Sequence, residues 1–198
     1  MSIMPLFPTT FETVLFVSVI VLWIMFEVID AVFILKVRHG GGPIKRDDKG
    51  SNLFLRLSLY VSLIVAFLLA INTIAVLPDW LFYPGVVLMV AGILVRQWAF
   101  FTLGRFFTLT VSVQENQKVV DNGPYRFIRH PSYSGMFLTV TGIGVALQSW
   151  AGTLVIAVLA GLAIGYRIRI EEKFLISELG DDYIRYMKRT KRLIPFVV

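Results

Sequence analysis

Apolar residues fill this 198-residue chain in long uninterrupted runs, with polar residues gathered between them. Such runs show neither the two-residue alternation of a half-buried strand nor a single stripe, so they read as helices apolar all round. Five segments follow. The first runs from about Phe11 to Leu35, long enough to cross a hydrocarbon core of roughly 30 Å at 1.5 Å per residue. It lacks a basic leader and a small-residue cleavage site, and reads as an anchor rather than a removable signal. The second runs from about Leu53 to Val76 and the third from about Leu81 to Leu103, joined by the turn residues Pro78 and Asp79. The fourth, Tyr133 to Leu147, reaches only roughly 22 Å as helix. The fifth runs from about Ala151 to Tyr166, so the last two form a short hairpin. A cytoplasmic amphipathic helix follows from Glu171 to about Lys191, with Phe174, Leu175, Leu179, Tyr183 and Met187 among its apolar positions and Gly180 interrupting it. Its Lys and Arg suit a helix lying on anionic headgroups, and Leu193-Ile194-Pro195-Phe196 would dock back on the core.

The predicted fold class is therefore all-α: an integral membrane helical bundle of about five transmembrane helices. Residues 1–198 form one membrane domain, with a three-helix part over about 1–103 and a loop, hairpin and C-terminal helix over about 104–198. Composition agrees, at 57% hydrophobic and 16% charged residues. Zero cysteines exclude disulfides, thiolate metal sites and cysteine nucleophiles.

Charge sets an orientation. The net charge of +6 does not form a soluble basic face of the kind that binds nucleic acid; it flanks the apolar segments. Lys36, Arg38, Lys45, Arg46, Lys49 and Arg56 lie in or beside the first loop. Arg105, Lys118, Arg126 and Arg129 precede segment four, and eight more Lys and Arg follow segment five. Only Arg96 falls inside a span. By the positive-inside rule the N-terminus faces out, and both large loops and the C-terminus are cytoplasmic.

Small residues suggest packing faces. Ala157, Gly161 and Gly165 recur every four residues, and Gly142 and Gly144 lie on segment four. Gly40-Gly41-Gly42-Pro43 follows a membrane helix rather than a strand and reads as a linker, not a phosphate loop.

The candidate chemistry sits in two clusters on the same side of the membrane. One is Gly123-Pro124-Tyr125-Arg126 with Arg129-His130-Pro131-Ser132-Tyr133-Ser134-Gly135. The other is Arg167-Ile168-Arg169-Ile170-Glu171-Glu172. Ionisable groups at a membrane boundary are costly and mark sites or water-filled cavities. Arg167 and Glu171 share a helix face, and an intrahelical ion pair is their plain alternative; Arg169 and Glu172 would then point toward headgroups. Pro131 suits a first helical turn, whose backbone donors near His130 and Tyr133 suit an anionic group. Tyr125 and Tyr133 offer aromatic faces. Glu27 and Asp30, three apart in segment one, read as an inward-facing pair.

The run Lys118-Val119-Val120-Asp121-Asn122-Gly123-Pro124-Tyr125-Arg126-Phe127-Ile128-Arg129-His130-Pro131-Ser132-Tyr133-Ser134-Gly135, with the later Arg167, Glu171-Glu172, Gly180-Asp181-Asp182-Tyr183 and Arg192-Leu193-Ile194-Pro195-Phe196, resembles the isoprenylcysteine carboxyl methyltransferase family and its phospholipid methyltransferase relatives. The resemblance covers roughly residues 100–198. It implies methyl transfer from S-adenosylmethionine within the membrane, with a lipophilic or amphiphilic acceptor reached laterally from the bilayer lipids. Carried over by position, Gln114, Gln117, Lys118, Val119, Val120, Tyr125, His130, Pro131, Ser132, Tyr133 and Glu171 become cofactor candidates. Arg167 becomes the substrate-side arginine, with Arg167 and Glu171 as the catalytic pair and no metal. A carboxylate acceptor is ionised at neutral pH and needs no base; an amine would need one. A prenyl-cysteine-like carboxylate leads, a phospholipid amine or small apolar thiol is the alternative, and a sterol-type NADPH reductase or a non-enzymatic membrane protein lies further off. The oligomeric state is left open.

Overall fold

The structure, a computed structural model, describes residue 7 and residues 9–39, 45–113 and 117–194. Five helices carry the fold: α1 (Thr10–His39), α2 (Ser51–Ile71), α3 (Phe82–Leu103), α4 (Pro131–Ala146) and α5 (Trp150–Arg189). α1, α2, α3 and α5 are long and apolar enough to cross a membrane. α4, at 16 residues, spans about 24 Å and is buried among the others. The chain is a multi-pass integral membrane protein.

Local chemistry starts the helices where the sequence changes. Thr9 and Glu12 close a reciprocal capping box on α1, the Thr9 N–H donating to Glu12 Oε2 (3.2 Å) and the Glu12 N–H to Thr9 Oγ1 (3.2 Å). Pro131 occupies the first turn of α4, and Ser149 Oγ accepts the Gly152 N–H to cap α5. α2 ends at Ile71, short of the expected Val76. Residues 72–77 instead turn back onto the α4–α5 connection, where the Leu77 N–H donates to the Gln148 carbonyl.

Two expectations are corrected. Segment five and the amphipathic C-terminal segment are one 40-residue helix, bent only at Gly180, whose φ of 56° favours glycine. With no helix-breaking chemistry between Tyr166 and Glu171, hydrogen bonding runs straight out of the apolar span. The tight glycine seam also lies elsewhere. Among the described residues a Cβ on Gly165 would meet nothing within 4 Å, and one on Gly161 only Phe137 at 3.8 Å. On α3 and α4 the backbones touch: a Cβ on Gly92 would lie 2.5 Å from the Gly135 carbonyl oxygen, and one on Gly142 2.6 Å from the Met89 nitrogen. Gly144 does pack closely, against Thr153. The α3–α4 seam is thus the rigid centre, α2 packs on α5, and α1 leans on α3 while barely touching α2. Gly40–Pro43 lie outside the described residues.

Candidate functional site

Where α1 and α2 stand apart, a cavity of about 580 Å³ opens. Its apolar wall comes from one face of α1 (Trp23, Ile24, Val28) and one of α2 (Leu55, Leu59, Leu63). Its polar end is walled by the segment before α4, the start of α4 and the middle of α5. Gln117, Lys118, Val119, Val120, Tyr125, His130, Ser132, Tyr133, Arg167 and Glu171 all line it. The two charged clusters therefore meet. Pro131 is the exception; it is fully buried in the first turn of α4 and is not part of the wall. Gln114 lies outside the described residues.

Tyr133 links the clusters. Its hydroxyl donates to Glu171 Oε2 (2.6 Å) and accepts from Arg167 Nε (2.9 Å), and its ring stacks on His130 with centroids 5.6 Å apart. Its backbone N–H is not free for an anion, because it donates to the His130 carbonyl in the tight first turn. His130 is 5% exposed; its Nε2 lies 3.5 Å from Glu172 Oε1 and makes no closer, well-aligned hydrogen bond among the described residues. A buried polar atom held only by so long a contact, at a cavity wall, keeps capacity for a ligand atom. Burial, reinforced by the nearby Glu171 charge, raises the Tyr125 phenol far above its ordinary value, so it stays neutral.

Arg167 is not the simple ion-pair partner of Glu171. It is 3% exposed. Nη1 donates to Asp48 and to Ser51 Oγ (2.8 Å), and Nη2 to the Leu109 carbonyl (2.8 Å). Sequence reasoning passed over Asp48, whose place in a charged loop after a glycine run gave it no periodicity. Its one local signal is a position ahead of an apolar run, and Asp48 Oδ2 does accept the Asn52 N–H. The loop is held down by the pairing of β1 (Lys45–Arg46) with β2 (Ser112–Val113) and by Lys45 Nζ against Glu178 (2.8 Å). Burial pushes the Asp48 carboxyl up, but hydrogen bonds from the Asn52 N–H, Arg167 and the Val111 N–H outweigh it and hold the group below the ordinary carboxylate range.

Glu172 does not face headgroups. It is 4% exposed and accepts from Arg129 Nε (2.8 Å) and Arg192 Nε (3.0 Å). The Arg129 guanidinium also caps the Met187 and Thr190 carbonyls. The chain after α5 does dock back: the Arg129 and His130 N–H groups donate to the Lys191 and Arg192 carbonyls, and Ser134 Oγ to the Leu193 carbonyl. Pro195 and Phe196 lie outside the described residues. Leu175, Leu179 and Tyr183 roof the cavity rather than all lying outward.

Glu27 and Asp30 do face inward, each toward α3 rather than each other. Glu27 takes a two-point contact from Arg96 (Nη2 to Oε2, 2.8 Å), whose Nη1 also donates to Ser132 Oγ (2.7 Å). Asp30 accepts from Gln97 Nε2 (3.0 Å). Arg96 thus ties α1 to the start of α4 at the cavity wall. Its lone place inside a span was the available signal.

Comparisons with known proteins fit this geometry. The model of the isoprenylcysteine carboxyl methyltransferase (ICMT) family matches residues 85–177. Protein-S-isoprenylcysteine O-methyltransferase B of Arabidopsis thaliana is 29% identical over 153 residues, 71% of this chain and 78% of that protein. The Arabidopsis A form is 32% identical over 120 residues, 60% of this chain and 61% of that one. The solved structure of the eukaryotic intramembrane Ras methyltransferase ICMT superposes with a TM-score of 0.59 at 24% identity, covering 76% of this chain and 54% of that one. The chain thus spans about three quarters of the B form's length, three fifths of the A form's and about half of the solved structure's. The family match takes in most of α3, the segment after it, α4 and α5 through Ser177, which together build the close-packed seam and the polar end of the cavity, and over that stretch and in its helical fold this chain is similar to the isoprenylcysteine carboxyl methyltransferase family.

Proposed function

We propose that this protein is an S-adenosylmethionine-dependent methyltransferase that acts within the membrane on the carboxylate of a prenyl-cysteine-like acceptor. One observation carries the reading: a single cavity joins a polar end built by His130, Tyr133, Arg167 and Glu171 to an apolar wall on α1 and α2. An amphiphile fits such a cavity along its length, and the gap between α1 and α2 gives it a way in from the bilayer. The relatives' names as isoprenylcysteine O-methyltransferases support the same acceptor class.

The polar end also suits the cofactor. His130 Nε2 is buried with only a long contact to Glu172, at 3.5 Å, among the described residues, and Glu171 keeps acceptor capacity beyond its bond from Tyr133. Gln117 to Val120, Tyr125, His130 and Glu171 would hold S-adenosylmethionine. Once bound, it supplies a methyl group on a sulfonium, electrophilic toward an oxygen nucleophile. The protein's task is positioning and exclusion of water, since the acceptor is already ionised. Tyr133 and Arg167 fix Glu171 and each other, and the α5 face at Leu175 and Leu179 closes the polar end from above. The cytoplasm is the side on which this end and the C-terminus would face, because the loops there hold the Lys and Arg excess.

The test is transfer of label from methyl-labelled S-adenosylmethionine, by the detergent-purified protein, to an N-acetylated S-farnesyl-cysteine. A base-labile methyl ester is expected. Saturable S-adenosylhomocysteine binding with no ester from any prenyl-cysteine acid would overturn the acceptor, and NADPH binding in its place would overturn the chemistry.

A further inference from the structure

The reading above needs a cation to receive the acceptor's carboxylate, and Arg167, assigned that part by resemblance, is already occupied. Its Nε, Nη1 and Nη2 all donate within the protein, and its charge is balanced by Asp48. An incoming carboxylate at its edge would meet Asp48 and Glu171 as neighbouring like charges, which disfavours it. The other buried arginines at the cavity are also engaged: Arg96 with Glu27 and Ser132, and Arg129 with Glu172 and two carbonyls.

Two cations that line the cavity have neither a hydrogen bond nor an ion pair among the described residues, Lys118 and Arg56. Lys118 lies beside Val119 and Val120 on the segment leading to Tyr125, at the polar end. Arg56 lies on α2. Asn52, Arg56 and Tyr60 are spaced by four and share one helix face with Leu55, Leu59 and Leu63, and all of them line the cavity. Arg56 therefore sits at the gap between α1 and α2, beside the apolar wall that an acceptor's chain would follow. Its position five residues after Ser51 puts it about 7.5 Å further along the helix axis than the Ser51 contact with Arg167.

We infer that Arg56 is the residue that holds the carboxylate of the lipophilic acceptor, and that Arg167 is a positioning residue that fixes Tyr133, Leu109 and the Asp48 loop. This rests on the carboxylate reading of the function. A guanidinium offers a carboxylate two parallel N–H donors, while its stem lies along the apolar wall. A neutral methyl ester loses the charge-assisted part of that contact. The site thereby prefers substrate over product and favours release after transfer.

The experiment uses the full chain in detergent with saturating S-adenosylhomocysteine. Dissociation constants are measured for N-acetyl-S-farnesyl-cysteine and for its methyl ester, in the wild type, Arg56→Gln and Arg56→Lys. In the wild type the acid is expected to bind roughly tenfold tighter than the ester, the size of a partly exposed charge-assisted hydrogen bond. Arg56→Gln should remove that difference by weakening the acid alone, and Arg56→Lys should restore most of it. S-adenosylhomocysteine affinity should be the same in all three. A wild type that prefers the acid and an Arg56→Gln variant that keeps the preference would overturn the assignment, placing the carboxylate elsewhere. A wild type that binds S-adenosylhomocysteine but neither farnesyl compound would overturn the acceptor reading itself, and the assignment with it.

Discussion

Replacing Asp48 by Asn tests whether the loop between α1 and α2 is part of the site or merely covers it. The change keeps the side chain's shape and Oδ1, which accepts from Arg167, Ser51 and the Val111 N–H. It places an amide N–H₂ where Oδ2 accepts the Asn52 N–H at 3.1 Å, losing one hydrogen bond of about 1 kcal/mol. It also leaves the Arg167 guanidinium, 3% exposed, without its counter-charge. Breaking a fully buried pair costs about 3–5 kcal/mol; Asp48 is one-fifth exposed and Arg167 keeps its neutral partners, so the low end applies. The lost hydrogen bond is part of that cost, which is about 3 kcal/mol, or roughly 6–12 °C in melting temperature for a domain of this size. Tryptophan fluorescence during heating in detergent reads it. The pH dependence gives a second check. Asp48 has a folded pKa below its unfolded value near 3.9, so its stabilisation is complete above that pH and is lost as pH falls through the folded value. The gap between wild type and Asp48→Asn should therefore close below about pH 4. A melting temperature within 2 °C of wild type at pH 7, by contrast with the roughly 6–12 °C expected, would show that the pair contributes nothing and that the loop is not anchored to the site.

Three further outcomes are expected. His130→Phe keeps the ring that stacks on Tyr133 and removes Nε2; S-adenosylhomocysteine should bind roughly tenfold more weakly, and unchanged affinity by calorimetry would remove His130 from the cofactor's surroundings. Gly135→Ala would set a Cβ 2.6 Å from the Gly92 carbonyl oxygen and 2.7 Å from the Arg96 nitrogen, forcing α3 and α4 apart at a cost of about 1–3 kcal/mol or more. Thermal melting should show the loss, whereas Gly165→Ala, with open space around it, should leave the midpoint in place. Glu172→Gln strips the counter-charge from Arg129 and Arg192; trypsin should then cut faster in the segment after α5, and an unchanged digestion rate would mean that backbone bonds alone hold it.

Much of the protein was legible in one dimension because the dominant energies there are local. Transfer of apolar residues into hydrocarbon is a sum over a contiguous segment, so the spans can be read without knowing their neighbours. Caps and turn residues act within a few positions, which is why Pro131 marks the right place at the start of α4. The residue types of the site were legible too, since a histidine, arginines and paired glutamates at a membrane boundary are too costly to be idle. Which of them meet was not. Glu171 and Glu172 are adjacent and chemically alike, yet a rotation of 100° around the helix sends one to Tyr133 at the cavity and the other into Arg129 and Arg192. Arg167 reaches Asp48 across 119 positions and Arg96 reaches Glu27 across 69. Those partners depend on how the loops cross and how closely α3 and α4 approach, and that is settled by packing summed over the whole bundle. The sequence alone thus determined the spans and the chemical inventory of the site. The tertiary structure decided which charges neutralise one another, because an ion pair between distant positions exists only once the helices between them have been packed.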